Sequence, residues 1–160
     1  MTSELKSAVE LMPAILHLTL EWARMRSKDP STKVASCIYD MSTGGMFFGY
    51  NGFPIGFSDD AEIWNNRDPA KGVTKYDLVI HAEHNAIIRA LKAGADLSMC
   101  VLVNTLIPCP KCMRDVVVAN KIKRVIYHYD NYNSQSKRDK EMVFTLARMA
   151  GITLEQFTEH

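Results

Sequence analysis

The chain has 160 residues, 47% of them hydrophobic and 23% charged, a balance that suits one domain with its own core over residues 1–160. Nineteen Lys and Arg against eighteen Asp and Glu leave a net charge of +1, so no global field draws the protein to nucleic acid or to an anionic membrane. No apolar run approaches the roughly 20 residues of a membrane-spanning helix, and the first residues, Met-Thr-Ser-Glu-Leu-Lys, lack the basic-then-apolar pattern of a secretion signal, so a cytoplasmic protein is expected.

In chain order, Pro13 can open a helix, and Ile15, Leu18, Trp22 and Met25 recur at helical spacing until Ser27-Lys28-Asp29-Pro30, which predicts an amphipathic helix over about 13–27. Lys33 to Tyr39 and Met46 to Tyr50 are rich in β-branched and aromatic residues and flank a Gly-containing connection, which predicts an antiparallel hairpin. Asn51 to Val79 holds Gly52, Pro54, Gly56, Asp59-Asp60, Pro69 and Gly72 with little periodicity and reads as a long functional loop. A helix follows from His81, with Ala86, Ile87, Ala90 and Leu91 on one face and Gly94 as its C-cap. Met99 to Val103 reads as a buried strand, Pro110 to about Ala119 as a helix, and Lys123 to Tyr129 as a strand. Ser134 to Ala150 reads as a helix that buries Val143, Leu146, Ala147 and Ala150 and stops at Gly151. Strands alternating with helices after an initial hairpin indicate an α/β sandwich on a mixed sheet.

Four cysteines, Cys37, Cys100, Cys109 and Cys112, are read in a reducing compartment as core residues, metal ligands or catalytic thiols. Cys37 and Cys100 fall in strands and read as small core residues, and His17, His128 and His160 show no partner pattern. His81-Ala82-Glu83 and Pro108-Cys109-Pro110-Lys111-Cys112 each sit where a helix should begin. On a first turn, Cys109 and Cys112 present both sulfurs on one face, and the helix N-terminus favours their thiolate forms. With His81 they make three ligands, which leave the fourth tetrahedral position of a zinc ion open to water. Glu83 then need not bind metal and is free to carry a proton. Cys-x-x-Cys alone also suits a redox pair or half a structural zinc site. Together with His-x-Glu and the Pro before Cys109, it matches the signature of zinc-dependent nucleobase deaminases. His84, three residues after His81, is read as a polar residue off the metal.

The chain resembles the deoxycytidylate (dCMP) deaminases from about Trp22 onward. The resemblance is carried by Arg26-Ser27-Lys28-Asp29-Pro30, Gly49-Tyr50-Asn51-Gly52-Phe53-Pro54, Ser58-Asp59-Asp60, and Lys75-Tyr76 leading into His81-Ala82-Glu83-His84-Asn85-Ala86-Ile87. It implies a cytidine-deaminase-like three-layer α/β/α sandwich with a mixed five-stranded sheet. It also implies that an activated water on zinc attacks C4 of the cytosine while Glu83 protonates N3 and then the leaving amine, converting dCMP to dUMP and ammonia and supplying dUMP for dTMP synthesis. His81, Cys109 and Cys112 match the zinc ligands, Glu83 the proton shuttle, Asn51 the residue on the sugar hydroxyl, and Ala82 a backbone contact to the base. Arg26, Ser27 and Lys33 are candidates for the 5′-phosphate, which needs cationic or N–H donors, and Asp130 and Tyr132 match a segment that closes over the substrate.

The resemblance further implies a homohexamer activated by dCTP with magnesium and inhibited by dTTP, through Asn51, Gly52, Pro54, Gly56, Ser58, Asp59 and Asp60. The chain departs from the family pattern at Phe57, at Glu62-Ile63 and at Ala35. Some relatives hold a second, structural zinc through Cys and His in this loop; residues 52–80 contain neither, so one zinc per chain is expected. Rival readings are a deaminase of dCTP, free cytidine or tRNA adenosine, the last disfavoured by the charge balance. A non-catalytic zinc or redox module is another rival, one that leaves Glu83 without a purpose.

Overall fold

A computed structural model describes residues 3–129 and 136–158. Helix α1 spans Ser3–Arg26, ten residues longer at its start than the sequence predicts, and carries Pro13 inside it. An interior proline removes one hydrogen bond and costs about 3 kcal/mol, a loss offset here by packing of Met12, Ile15 and Leu16 into the core. The buried face is Met12, Ile15, Leu16, Thr19 and Ala23, whereas Leu18 and Met25, expected to be buried, are exposed. Apolar residues alone misplace this face because Thr19 belongs to it: its hydroxyl donates to Ile15 O at 2.7 Å and so is buried at little cost.

Strand β1 (Ala35–Asp40) and strand β2 (Met46–Tyr50) form the expected hairpin. Its connection is held by Asp40, whose carboxylate accepts from Ser42 N, Ser42 Oγ and Thr43 Oγ1. The segment expected as one long loop contains two short helices, α2 (Ala61–Asn65) and α3 (Lys75–Leu78), with a 3₁₀ turn at Pro69–Lys71 between them. These are too short to show a period; local caps make them, Asp60 on Glu62 N, Asp68 on Ala70 N and Thr74 reciprocally with Asp77. Helix α4 is Ala82–Lys92. Strand β3 runs Cys100–Leu106, three residues past its expected end. Helix α5 is a single turn, Pro110–Cys112, continued by a π-helical stretch at Met113–Val118. Strand β4 (Arg124–Tyr129), helix α6 (Lys137–Ala150) and strand β5 (Thr153–Gln156) complete the chain, with Gly151 in the left-handed region at φ 63°. β5 escapes the sequence reading because only Leu154 is apolar in it and its side chains are half-buried or exposed.

The sheet order is β2-β1-β3-β4-β5. β1 is antiparallel to β2 and β3, whereas β3, β4 and β5 are mutually parallel. Parallel neighbours need crossover helices, which α5 and α6 supply. Side chains alternate through the sheet: Cys37, Tyr39, Val101, Val103 and Ile126 meet α1 on one face. Ile38, Leu102, Val125 and Tyr127 meet α4, α5 and α6 on the other. The result is an α/β fold of three layers around a mixed five-stranded sheet.

Candidate active site

His81 is the N-cap of α4, with extended backbone at φ −67° and ψ 150°, and its side chain makes no cap bond. The imidazole is therefore available beyond the helix start, and Ala82 and Glu83 occupy the first turn. Cys109 is the N-cap of α5, Pro110 begins that helix, and Cys109 Sγ accepts from Cys112 N at 3.5 Å. α5 leaves the C-terminal end of β3, where ligands bind in open α/β sheets. Two helix starts thus converge on one point.

His81 Nδ1 lies 3.6 Å from Cys109 Sγ and 3.3 Å from Cys112 Sγ, and the three ligand atoms lie within 4.8 Å of one another. Tetrahedral zinc, with bonds of about 2.3 Å to sulfur and about 2.0–2.1 Å to nitrogen, separates such ligands by about 3.6 Å. The donor set, two soft sulfurs and one imidazole nitrogen, fits zinc and leaves one position for a small molecule. His84 Nδ1 approaches Cys112 Sγ at 3.7 Å but is not part of the cluster.

The two sulfurs are electrostatically unlike. A hydrogen bond from Cys112, against the opposing effect of burial and with help from His81, pulls the Cys109 thiol down to about 4. The same hydrogen bond and burial push Cys112 up. His81 is raised, chiefly by its contact with Cys109. The pair shares one proton, which a divalent cation displaces. Cys37, by contrast, is pushed up to about 12 and Cys100 to about 11 by burial, as inert core thiols should be.

Glu83 is buried and lines a cleft of about 350 Å³ together with His81, Ala82 and Cys109. Its Oε1 accepts from Asn104 Nδ2 at 2.9 Å. The opposite wall is a polar network that the sequence reading did not assemble. Asp29 accepts from Lys75 Nζ at 2.8 Å in a buried ion pair, and from Ser31 N and Thr32 N. Asn51 lines the cleft with its amide fully engaged: Oδ1 accepts from Ser27 Oγ and Val34 N, and Nδ2 donates to Asp29 and Thr32 O. A sugar hydroxyl would have to displace one of those partners. Asp29 was visible only as part of a helix-ending run, and Lys75 only as part of a longer resemblance, so neither pointed to the other.

The phosphate candidates lie elsewhere. Arg26 lines a second cavity, of about 240 Å³, and its guanidinium stands over the rings of Trp22 and Tyr50. Ser27 is buried against Asn51, and Lys33 is exposed with Nζ on Arg24 O at 3.3 Å; neither lines the cleft. The reason is that α1 ends at Arg26, and the chain turns there around Asn51 rather than pointing these side chains inward. Gly52, Pro54, Gly56 and Asp59 share the second cavity with Arg26 and Lys28, whereas Asn51 faces the cleft. Ser58 and Asp60 line neither, Asp60 being the cap of α2. Asp130 and Tyr132 lie outside the described residues.

A family profile described as "Cytidine and deoxycytidylate deaminase zinc-binding region" matches residues 10–129. The chain is 38% identical over 133 residues to a protein of Mus musculus named "Deoxycytidylate deaminase", covering 83% of this chain and 72% of that one. It is 37% identical over 132 residues to the Homo sapiens protein of the same name, covering 82% and 71%. Among solved structures, the dCMP deaminase of the cyanophage S-TIM5 in apo form superposes with a TM-score of 0.70 at 20% identity, covering 92% of this chain and 98% of that one. The same cyanophage enzyme in complex with dCMP and dUMP superposes with a TM-score of 0.68 at 23% identity, covering 98% and 99%. These structures agree with the mixed-sheet α/β fold.

Proposed function

The chain belongs to the cytidine and deoxycytidylate deaminase zinc-binding family, and from that premise we propose that it hydrolyses dCMP to dUMP and ammonia, supplying dUMP for dTMP synthesis. The observation that carries this reading is that the cluster of His81, Cys109 and Cys112 borders the cleft that His81, Cys109 and buried Glu83 line. His81, Cys109 and Cys112 would hold the zinc. When bound there, zinc supplies a water acidic enough to act as a nucleophile near neutral pH.

The remaining work falls to the chain's own groups. Glu83 takes one proton from the water as its oxygen bonds to C4 and places it on N3 of the cytosine, then moves the remaining proton of that C4 hydroxyl to the amine as the C4–N bond breaks, so that water and dCMP leave as dUMP and ammonia. Ala82, buried beside it, offers backbone to the base. The Asn51–Asp29–Lys75 network fixes the wall on which the sugar rests.

The finer readings rest on the resemblance and on the second cavity. Magnesium with dCTP activates and dTTP inhibits, the triphosphate lying near Arg26 and Lys28 beside Gly52, Pro54, Gly56 and Asp59. One zinc is bound per chain, in a single deaminase domain. The enzyme assembles as a homohexamer and works in the cytoplasm; no helix among the described residues is long and apolar enough to cross a membrane.

The test is to mix purified protein with dCMP, with and without dCTP plus magnesium, and follow dUMP. Conversion is expected, faster with dCTP. Folded protein that holds one zinc per chain yet converts no dCMP would redirect the reading to dCTP, cytidine or tRNA adenosine as substrate.

A further inference from the structure

Behind Glu83 the core contains a polar chain that the chemistry above does not use. Ser36 and Asn104 sit opposite one another on β1 and β3, and both side chains point to the α4 face, among Ile38 and Leu102. Both residues are fully buried, at 0% exposure, and Glu83 is at 4%. Ser36 Oγ donates to Asn104 Oδ1, and Asn104 Nδ2 donates to Glu83 Oε1 at 2.9 Å. The Asn104 amide thus bridges the two, its NH₂ on Glu83 and its carbonyl on the Ser36 hydroxyl, so both ends of the amide are satisfied.

We propose that Asn104, locked by Ser36, is the positioning residue that sets the rotamer of Glu83, holding Oε1 against the sheet and leaving the second oxygen for the cleft. Three points support it. Two buried polar side chains in an apolar layer are costly unless both are satisfied, and each satisfies the other here. The two strands hold the donor rigidly, as a site on loops would not be held. The donor meets Glu83, which lines the cleft with His81 and Cys109.

The inference rests on the reaction proposed above, and its test has a readout that does not. Asn104→Leu keeps the branched shape of the side chain and removes the donor. Ser36→Ala with Asn104→Leu also removes the hydroxyl that would be left unpaired, so the double variant should fold even if the single one does not. Crystal structures of wild type and double variant, zinc content, and kcat and KM for dCMP are then compared. In the double variant the Glu83 carboxylate is expected to leave its wild-type position, kcat to fall about 10–100-fold as for lost supporting contacts, and KM to stay within about threefold. Zinc should remain at one per chain. An unmoved Glu83 carboxylate, or an unchanged kcat in a variant that still turns over dCMP, overturns the inference. If Glu83 moves but wild type deaminates no dCMP, the positioning role stands and the substrate reading falls.

Discussion

Glu83 and Asp29 are both buried in the same cleft, and what surrounds each decides its use. Glu83 accepts from the neutral amide of Asn104 and has no cation paired with it among the described residues. Glu83→Gln should keep fold and zinc while turnover falls about 10²–10⁴-fold, the usual worth of a general acid–base group; metal content and rate measured on the same preparation check this. Cys109→Ala should instead lose zinc, because it removes a ligand, and full zinc with full rate would refute the ligand set. Asp29 is held differently: burial pushes its carboxyl up, but hydrogen bonds from Lys75, Ser31 N and Thr32 N outweigh that and leave it below the usual carboxylate range. A lowered native pKa contributes stability that is full above the unfolded value of about 3.9 and is lost as pH falls through the native value. Lys75→Met should strand the buried carboxylate and cost about 3–5 kcal/mol at pH 7. The cost should shrink at pH 4, where the stranded carboxyl can take a proton. Denaturant unfolding at both pH values tests it, and an equal loss at each would show that the ion pair is not what matters.

At the scale of elements, the site depends on how closely α4 lies on β2. A Cβ built at Gly49 would stand 2.3 Å from Ala86 N and 2.4 Å from Ala82 O, both backbone atoms of α4. Asn85 Nδ2 donates to Tyr50 O at 2.8 Å across the same seam. Gly49→Ala must therefore shift the helix whose start carries His81 and Glu83. Overpacking of this kind costs about 1–3 kcal/mol or more, and the melting temperature should fall with part of the zinc affinity; a variant with unchanged melting and metal content would refute the close approach. The sequence announces α4 well because Ala86, Ile87 and Ala90 are buried as its period predicts and its chemistry sits at its start; its cap falls one residue before the expected one, at Ala93 rather than Gly94, and Leu91 is exposed. The ligand cluster was legible for the same reason, since helix starts and ligand spacing are local facts. What stayed hidden is what depends on distant partners: the buried face of α1 that includes Thr19, the edge strand β5 paired with β4, and the Asp29–Lys75 pair joined across 46 residues. Asn104 left a visible trace, a polar residue in an apolar strand, but its partner Glu83 is set by tertiary packing.

For the whole molecule, the metal site ties together two stretches of chain 28 residues apart, at the starts of α4 and α5 on one side of the sheet. Binding that occurs only in the folded state adds to stability, by about 4 kcal/mol when free ligand exceeds its dissociation constant a thousandfold. For a chain of this size each kcal/mol moves the melting temperature by about 2–4 °C. Chelation should then lower melting by about 8–16 °C, and added zinc, but not magnesium, should restore it, because two sulfurs and an imidazole select a softer ion than magnesium. The sign of the pH dependence follows from the thiols. Cys112 is pushed up and keeps its proton beside Cys109, so zinc uptake expels that proton. His81 is raised as well and must also bind in its neutral form. Proton release means that zinc affinity, and with it the stabilisation by zinc, declines as pH falls from 8 to 6. Calorimetric melts of zinc-loaded and chelated protein across that range should show the two curves converging toward acid. Parallel curves would mean that the sulfurs do not exchange protons for the metal and that the ligand set is not the one described.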